Sequence, residues 1–219
     1  MEYKTVPKMR KKRKSKFRRI ILIVAACFLL LIFGKLIIGH LTSMWQKNRV
    51  EEANAPDWVD VQIIPIDGDS RTGEKLRGIK DIVIHYVGNP GTTAQQNHDY
   101  YGNPDSEVSS HFIVGLDGEI IQCVPLNEKS AASNWRNIDT VSIEVCHPDS
   151  TGEFTEQTYA SLVKLTAWLS ELCNLDTNHI IRHYDITGKN CPLYFVEHQD
   201  KWEQFKEDVN EFNKFKIRK

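Results

Sequence analysis

An apolar run, IILIVAACFLLLIFGKLIIG over residues 20–39, constrains this 219-residue chain more than any other feature. Its one charge is Lys35, near the far end. At about 1.5 Å per residue, twenty such residues cross a bilayer's ~30 Å hydrocarbon core as a helix whose backbone groups pair within the segment. Residues 1–19 ahead of it carry ten Lys or Arg and one acid, Glu2. A dense basic flank predicts a cytoplasmic N-terminus. Residues 1–19 therefore read as a basic cytoplasmic tail, 20–39 as a single-pass transmembrane anchor, and the rest as extracytoplasmic. A cleaved signal peptide would have a shorter apolar core, about 7–15 residues, followed by a small-residue cleavage site. Here the run leads into HLTSMWQKNRVEE, which offers none. Lys35 can snorkel its ammonium to the head groups.

The formal net charge of −1 conceals an asymmetry. Without the tail, 18 basic and 28 acidic residues remain, a net charge of −10 over residues 20–219. An acidic main body argues against a nucleic-acid partner, and the tail reads as an orientation signal that also suits anionic lipid heads. Of the five cysteines, Cys27 lies in the anchor. Cys123 and Cys146 can pair if their strands are neighbours, but with Cys173 they make three, which cannot all pair internally; buried free thiols are the other reading.

Polar residues 40–57 read as a stalk. Residues 58–215 are long enough for one domain with its own core. Within it, 59–66 suggests an edge strand, and 79–86 a central strand of β-branched residues. Residues 93–101 suit a short helix. Segments 111–114 and 119–124 flank Gly-Leu-Asp-Gly, a hairpin signal because Asp-Gly tolerates positive φ. A further strand is expected at 139–146 and a short one at 178–182. Residues 155–175 read as an amphipathic helix started by Thr155, with Leu162, Leu165, Trp168, Leu169 and Leu172 at core spacing. A last helix is expected at 195–215, with Phe205, Val209 and Phe212 on one face. The expected fold class is α/β: a single domain with a central mixed sheet flanked by helices, preceded by one transmembrane helix.

Chemistry concentrates in two segments. His85 ends the run DIVIH ahead of a Gly- and Pro-rich turn, and HYDITGKNCP carries His183, Lys189 and Cys191. Two imidazoles and a thiolate suit Zn²⁺, and three protein ligands leave the fourth position open, as in a catalytic rather than a structural site. A zinc hydrolase is the leading idea from the residues alone. Glu144 stands among Val141, Ile143 and Val145, where an acid is out of place unless it faces a cleft.

The stretches SRTGEKLRGIKDIVIHYVGNPGTTA, SSHFIVGLDGEIIQCVP, NIDTVSIEVCHPDSTGEFT and IIRHYDITGKNCP occur in this order over about residues 70–195. Together they resemble the N-acetylmuramoyl-L-alanine amidase type 2 family, the peptidoglycan amidases related to peptidoglycan recognition proteins. The resemblance implies one zinc ion on His85, His183 and Cys191, with Glu144 as catalytic acid–base and Lys189 as oxyanion stabiliser. It implies peptidoglycan as the substrate and the lactyl–L-Ala amide as the bond cut. Some relatives place an assisting tyrosine just before the His-Phe of the hairpin; Ser110 stands there, so the role rests on Glu144. Trp135, on a loop bordering the family's groove, is a candidate for stacking on glycan or stem peptide. Asn134, Arg136 and Asn137 are candidate hydrogen-bond partners of the substrate. His111 reads either as a substrate contact or as a satisfied core histidine. His98, His147, His179 and His198 fall outside the metal site. Two other readings keep the fold: a recognition module that binds muropeptides without cutting, which usually goes with loss of the cysteine ligand, and an endopeptidase acting within the stem peptide.

Overall fold

The computed structural model describes residues 10–217; the first nine residues of the basic tail lie outside them. The chain divides after Trp45 into two compact units. Helix α1 spans Arg10–Glu52, and from Phe17 onward it is the one helix among the described residues long and apolar enough to cross a membrane. Its large apolar side chains, from Phe17 through Leu41, are exposed on all sides. A helix apolar all round with none of that surface covered is a candidate membrane span.

The second unit begins with the last turns of α1. The polar segment read as a stalk is helical as far as Glu52. Gln46 fixes it in place: its Nε2 donates to the carbonyls of Ile79 (2.7 Å) and Cys173 (2.9 Å), and its Oε1 accepts the Ile79 amide (3.0 Å). Val50, one turn on, is buried in the main core. Trimming the domain from 46–219 to 57–219 is therefore expected to lower its unfolding free energy by about 2–4 kcal/mol, from one buried valine and the orphaned backbone groups of Ile79. Urea denaturation of the two fragments measures this; equal midpoints would make residues 46–56 a spacer.

Six strands form one mixed sheet in the order β1-β4-β3-β5-β2-β6. They are β1 (Asp60–Val61), β2 (Asp81–Ile84), β3 (Phe112–Val114), β4 (Ile120–Gln122), β5 (Thr140–Val145) and β6 (Ile180–Arg182). Only β3 and β4 run antiparallel, joined by the expected hairpin. Gly118 there has φ +84°, and a Cβ would lie 2.8 Å from the Gln157 carbonyl, so the turn demands glycine. Cys123 and Cys146 follow strands separated by β3, and both are free and buried, as is Cys173.

Alternation assigns the two faces. Ile82, Ile84, Phe112, Val114, Val141, Ile143 and Val145 share a core with α3 (Glu156–Cys173) and α6 (Gln199–Ile217). Thr155 caps α3 by accepting the Thr158 amide, and Leu162, Leu165 and Leu169 bury its inner stripe. The opposite face packs on α2 (Ala94–Tyr101) through Ile113, Ile121 and Ala94.

The C-terminal segment departs from expectation. It is not one helix: α5 (Leu193–Glu197) and α6 are divided at His198, whose φ of −122° and ψ of 81° are not helical. The Phe195 carbonyl, which a continuous helix would pair with the amide of residue 199, instead accepts from Arg182 Nη1 at 2.9 Å. The buried face of α6 is Trp202, Phe205 and Val209, and Phe212 is 40% exposed.

Candidate active site

Strands β2, β5 and β6 are parallel, so their carboxyl ends converge on one edge of the sheet. Ile84 is in register with Ile143 on one side and with Arg182 on the other. One residue further along each strand come His85, Glu144 and His183, all turned to the face opposite the main core. The His85 amide continues the ladder by donating to the Ile143 carbonyl at 2.8 Å. Clefts at the carboxyl ends of parallel strands are where open α/β sheets bind ligands.

The last donor arrives on a closed loop. His183 opens a single helical turn, α4 (His183–Thr187), which stops at Gly188 with φ +77°. Reversed there, the chain returns so that the Tyr184 amide donates to the Cys191 carbonyl at 2.9 Å. Arg182 clamps the loop through both carboxylate oxygens of Asp185. The seven intervening residues thus bring Cys191 back to His183.

His85, His183 and Cys191 are buried and offer donor atoms that all lie within 4.8 Å of one another. Cys191 Sγ is 3.9 Å from His85 Nδ1, and the two imidazole rings are 4.7 Å apart, centroid to centroid. Tetrahedral zinc needs such donors about 3.3–3.6 Å apart, so the cluster has the donor types and nearly the spacing for a borderline-soft ion. Burial, then the charges of His183 and Lys189, hold His85 well below the ordinary imidazole range. Burial and Lys189 also lower His183. Both rings are thus neutral donors near pH 7. Burial and the neighbouring Glu144 push the Cys191 thiol up to about 12, against the pull of the Tyr86 amide and Lys189.

Glu144 Oε1 lies 3.9 Å from His85 Nδ1, with its side chain 16% exposed. Its Oε2 is buried with no partner among the described residues. Burial pushes its carboxyl up to about 8, and Lys189 works in the opposite direction. A cation among the three donors would bring that value down. Glu144, Lys189 and the three donor residues all line one cleft of about 470 Å³.

Other singled-out residues lie elsewhere. His111 is fully buried, with Nδ1 3.1 Å from Ser142 Oγ and Nε2 2.9 Å from the Glu128 carbonyl. Trp135 is 68% exposed and, like Asn134 and Asn137, does not line the cleft. Arg136 pairs with Asp81 and Asp139. Ser110 donates to the Phe112 carbonyl at 2.6 Å. The sequence did not single out α2 as a wall of the cleft, where it contributes Gln96, Asn97, Tyr100 and Tyr101. A run of amide and phenol side chains on so short a helix was the available signal.

The family model for N-acetylmuramoyl-L-alanine amidase matches residues 75–193. Curated relatives include N-acetylmuramoyl-L-alanine amidase BlyA of Bacillus subtilis (strain 168), 34% identical over a 170-residue alignment that covers 67% of this chain and 45% of the relative. N-acetylmuramoyl-L-alanine amidase CwlL of Bacillus licheniformis is 28% identical over 164 residues, again 67% and 45% of the two chains. The chain thus spans somewhat under half the length of these relatives. Among solved structures, a mutant endolysin from Bacillus subtilis matches with a TM-score of 0.60 at 29% identity, covering 69% of this chain and 97% of that one. The catalytic domain of XlyA matches with a TM-score of 0.60 at 28% identity, covering 69% and 98%.

Proposed function

The chain belongs to the N-acetylmuramoyl-L-alanine amidase family, and from that premise we propose that it is a membrane-anchored zinc hydrolase cutting the lactyl–L-Ala amide of peptidoglycan. One observation carries the reading: two imidazoles and a thiol within 4.8 Å of one another, beside a buried carboxylate, in an open cleft. Zinc held by His85, His183 and Cys191 would supply a Lewis acid that polarises the scissile carbonyl and acidifies water. Glu144 accepts the proton of the attacking water and returns it to the departing L-alanine amine, leaving the lactyl carboxylate on the glycan. Lys189, exposed on the cleft wall, holds positive charge where the carbonyl oxygen becomes an oxyanion. Residues 20–39 anchor the protein in the cytoplasmic membrane with the N-terminus inside, so the cleft meets the wall from outside. A module that only binds muropeptides would have no use for Glu144 and Cys191 together.

The full chain in detergent, loaded with zinc and incubated with purified sacculi, tests this by mass spectrometry of the released ends. Free L-alanine amino termini with peptide-free muramic acid are expected. New termini within the stem would make it an endopeptidase. Retained muropeptide binding without cleavage would make it a recognition module.

A further inference from the structure

The turn between the cleft and β5 bonds to both histidines from behind. His85 Nε2 lies 3.2 Å from the fully buried Ser133 Oγ, and His183 Nε2 lies 2.8 Å from Asn134 Oδ1. His85 Nδ1 is the nitrogen that faces Cys191 Sγ, so a proton on Nε2 donated to Ser133 leaves the Nδ1 lone pair for an ion, and a proton on His183 Nε2 donated to the Asn134 amide oxygen leaves its Nδ1 free in the same way. The turn that supplies these acceptors is itself tied down. Asn137 Oδ1 accepts the amides of both Ala132 and Ser133. Arg136 Nε donates to Asp139 Oδ1 at 2.7 Å, and its Nη2 pairs with Asp81, the first residue of the strand that leads to His85. Thr140 Oγ1 donates to the Arg136 carbonyl at 2.7 Å. Asn134 takes φ +53°, a left-handed bend that Asn, Asp and Gly tolerate best.

We propose that the 133–137 turn is a template for the metal centre, with Ser133 and Asn134 as positioning residues that fix the tautomer and ring angle of His85 and His183. This rests on the zinc reading above. Asn134 and Asn137, expected from sequence as substrate contacts, thereby act inward, since their carbonyl oxygens already hold the His183 ring and two backbone amides. Trp135 is carried between them with its ring outside.

The substitutions separate backbone from side chain. Asn134→Gly keeps the bend and removes the acceptor, while Asn134→Asp keeps both. Ser133→Ala removes the other acceptor at a residue of ordinary φ, −113°. The full chain in detergent is stripped of metal and titrated with zinc against a chromophoric chelator; its cobalt-substituted form is read by visible absorption. Asn134→Gly and Ser133→Ala are each expected to weaken zinc binding about 10- to 100-fold and to shift the cobalt bands, while the metal-free variants keep the wild-type far-ultraviolet circular dichroism. Asn134→Asp is expected to restore binding to within a few-fold. Wild-type affinity and cobalt spectra in both Asn134→Gly and Ser133→Ala would overturn the template. A wild-type chain that takes up no zinc would overturn the metal reading itself, before any variant is compared.

Discussion

Replacing Cys191 with serine is expected to empty the metal centre, taking bound zinc from about one ion per chain to a trace and hydrolysis of sacculi down by about 10³-fold or more. A neutral hydroxyl is a poor substitute for a thiolate on a borderline-soft ion, and with two imidazoles alone the site loses both charge and a coordination position. Several kcal/mol of carbonyl polarisation goes with the ion, and each 1.36 kcal/mol is about tenfold in rate. The fold should survive, because Cys191 sits on a loop held by its own carbonyl bond to Tyr184 and by the Arg182–Asp185 clamp. Metal content by atomic spectroscopy and far-ultraviolet circular dichroism on one sample separate the two effects. A variant that keeps stoichiometric zinc would remove Cys191 from the ligand set.

The same cysteine gives metal capture a pH dependence of definite sign. In the metal-free protein the thiol, pushed up to about 12, is protonated throughout the neutral range, while both histidines, lowered by burial, are already neutral. Binding therefore releases the thiol proton and, because the Glu144 carboxyl raised to about 8 is ionised by the incoming charge, most of a second proton at pH 7, so the apparent affinity is expected to rise more than tenfold per pH unit between pH 7 and 8. Isothermal titration in buffers of different ionisation enthalpy counts the released protons directly.

Much of this centre is visible in the sequence because its parts obey local rules. His85 ends a β-branched run before a glycine turn, Glu144 breaks an apolar alternation, and His183 and Cys191 are spaced for a loop that folds back. What escapes depends on partners distant along the chain. Residues 46–52 look like solvated linker because the groups that pair with Gln46 belong to Ile79 and Cys173, 33 and 127 residues away. Nothing local to 195–215 predicts the break at His198, since Arg182 takes the carbonyl that would have closed the helix. Ser133 is invisible for the same reason: a serine between alanine and asparagine carries no pattern, and its use appears only when the sheet brings His85 up against it.

Glu144→Gln should separate catalysis from stability in opposite directions. Glutamine cannot take a proton from water, so turnover is expected to fall about 10²- to 10⁴-fold with zinc retained. Stability of the metal-free chain should move the other way. Burial raises the Glu144 carboxyl from 4.5 to about 8, so between those values the folded protein holds a proton that the unfolded chain has released. Stability attributable to this group is then fully present below about pH 4.5 and is lost as pH rises towards 8, at a limiting slope of about 1.4 kcal/mol per pH unit. His85 and His183, both lowered, act with the opposite sign below the ordinary imidazole value of 6.5, so the clean window is pH 6.5–8. Across it the wild-type melting temperature is expected to fall while that of Glu144→Gln stays level, leaving the variant several degrees more stable at pH 8. Zinc should erase the gap, because a divalent charge beside the carboxylate favours its ionised form. Parallel pH profiles for the two metal-free proteins would mean that burial does not hold Glu144 protonated in the metal-free fold.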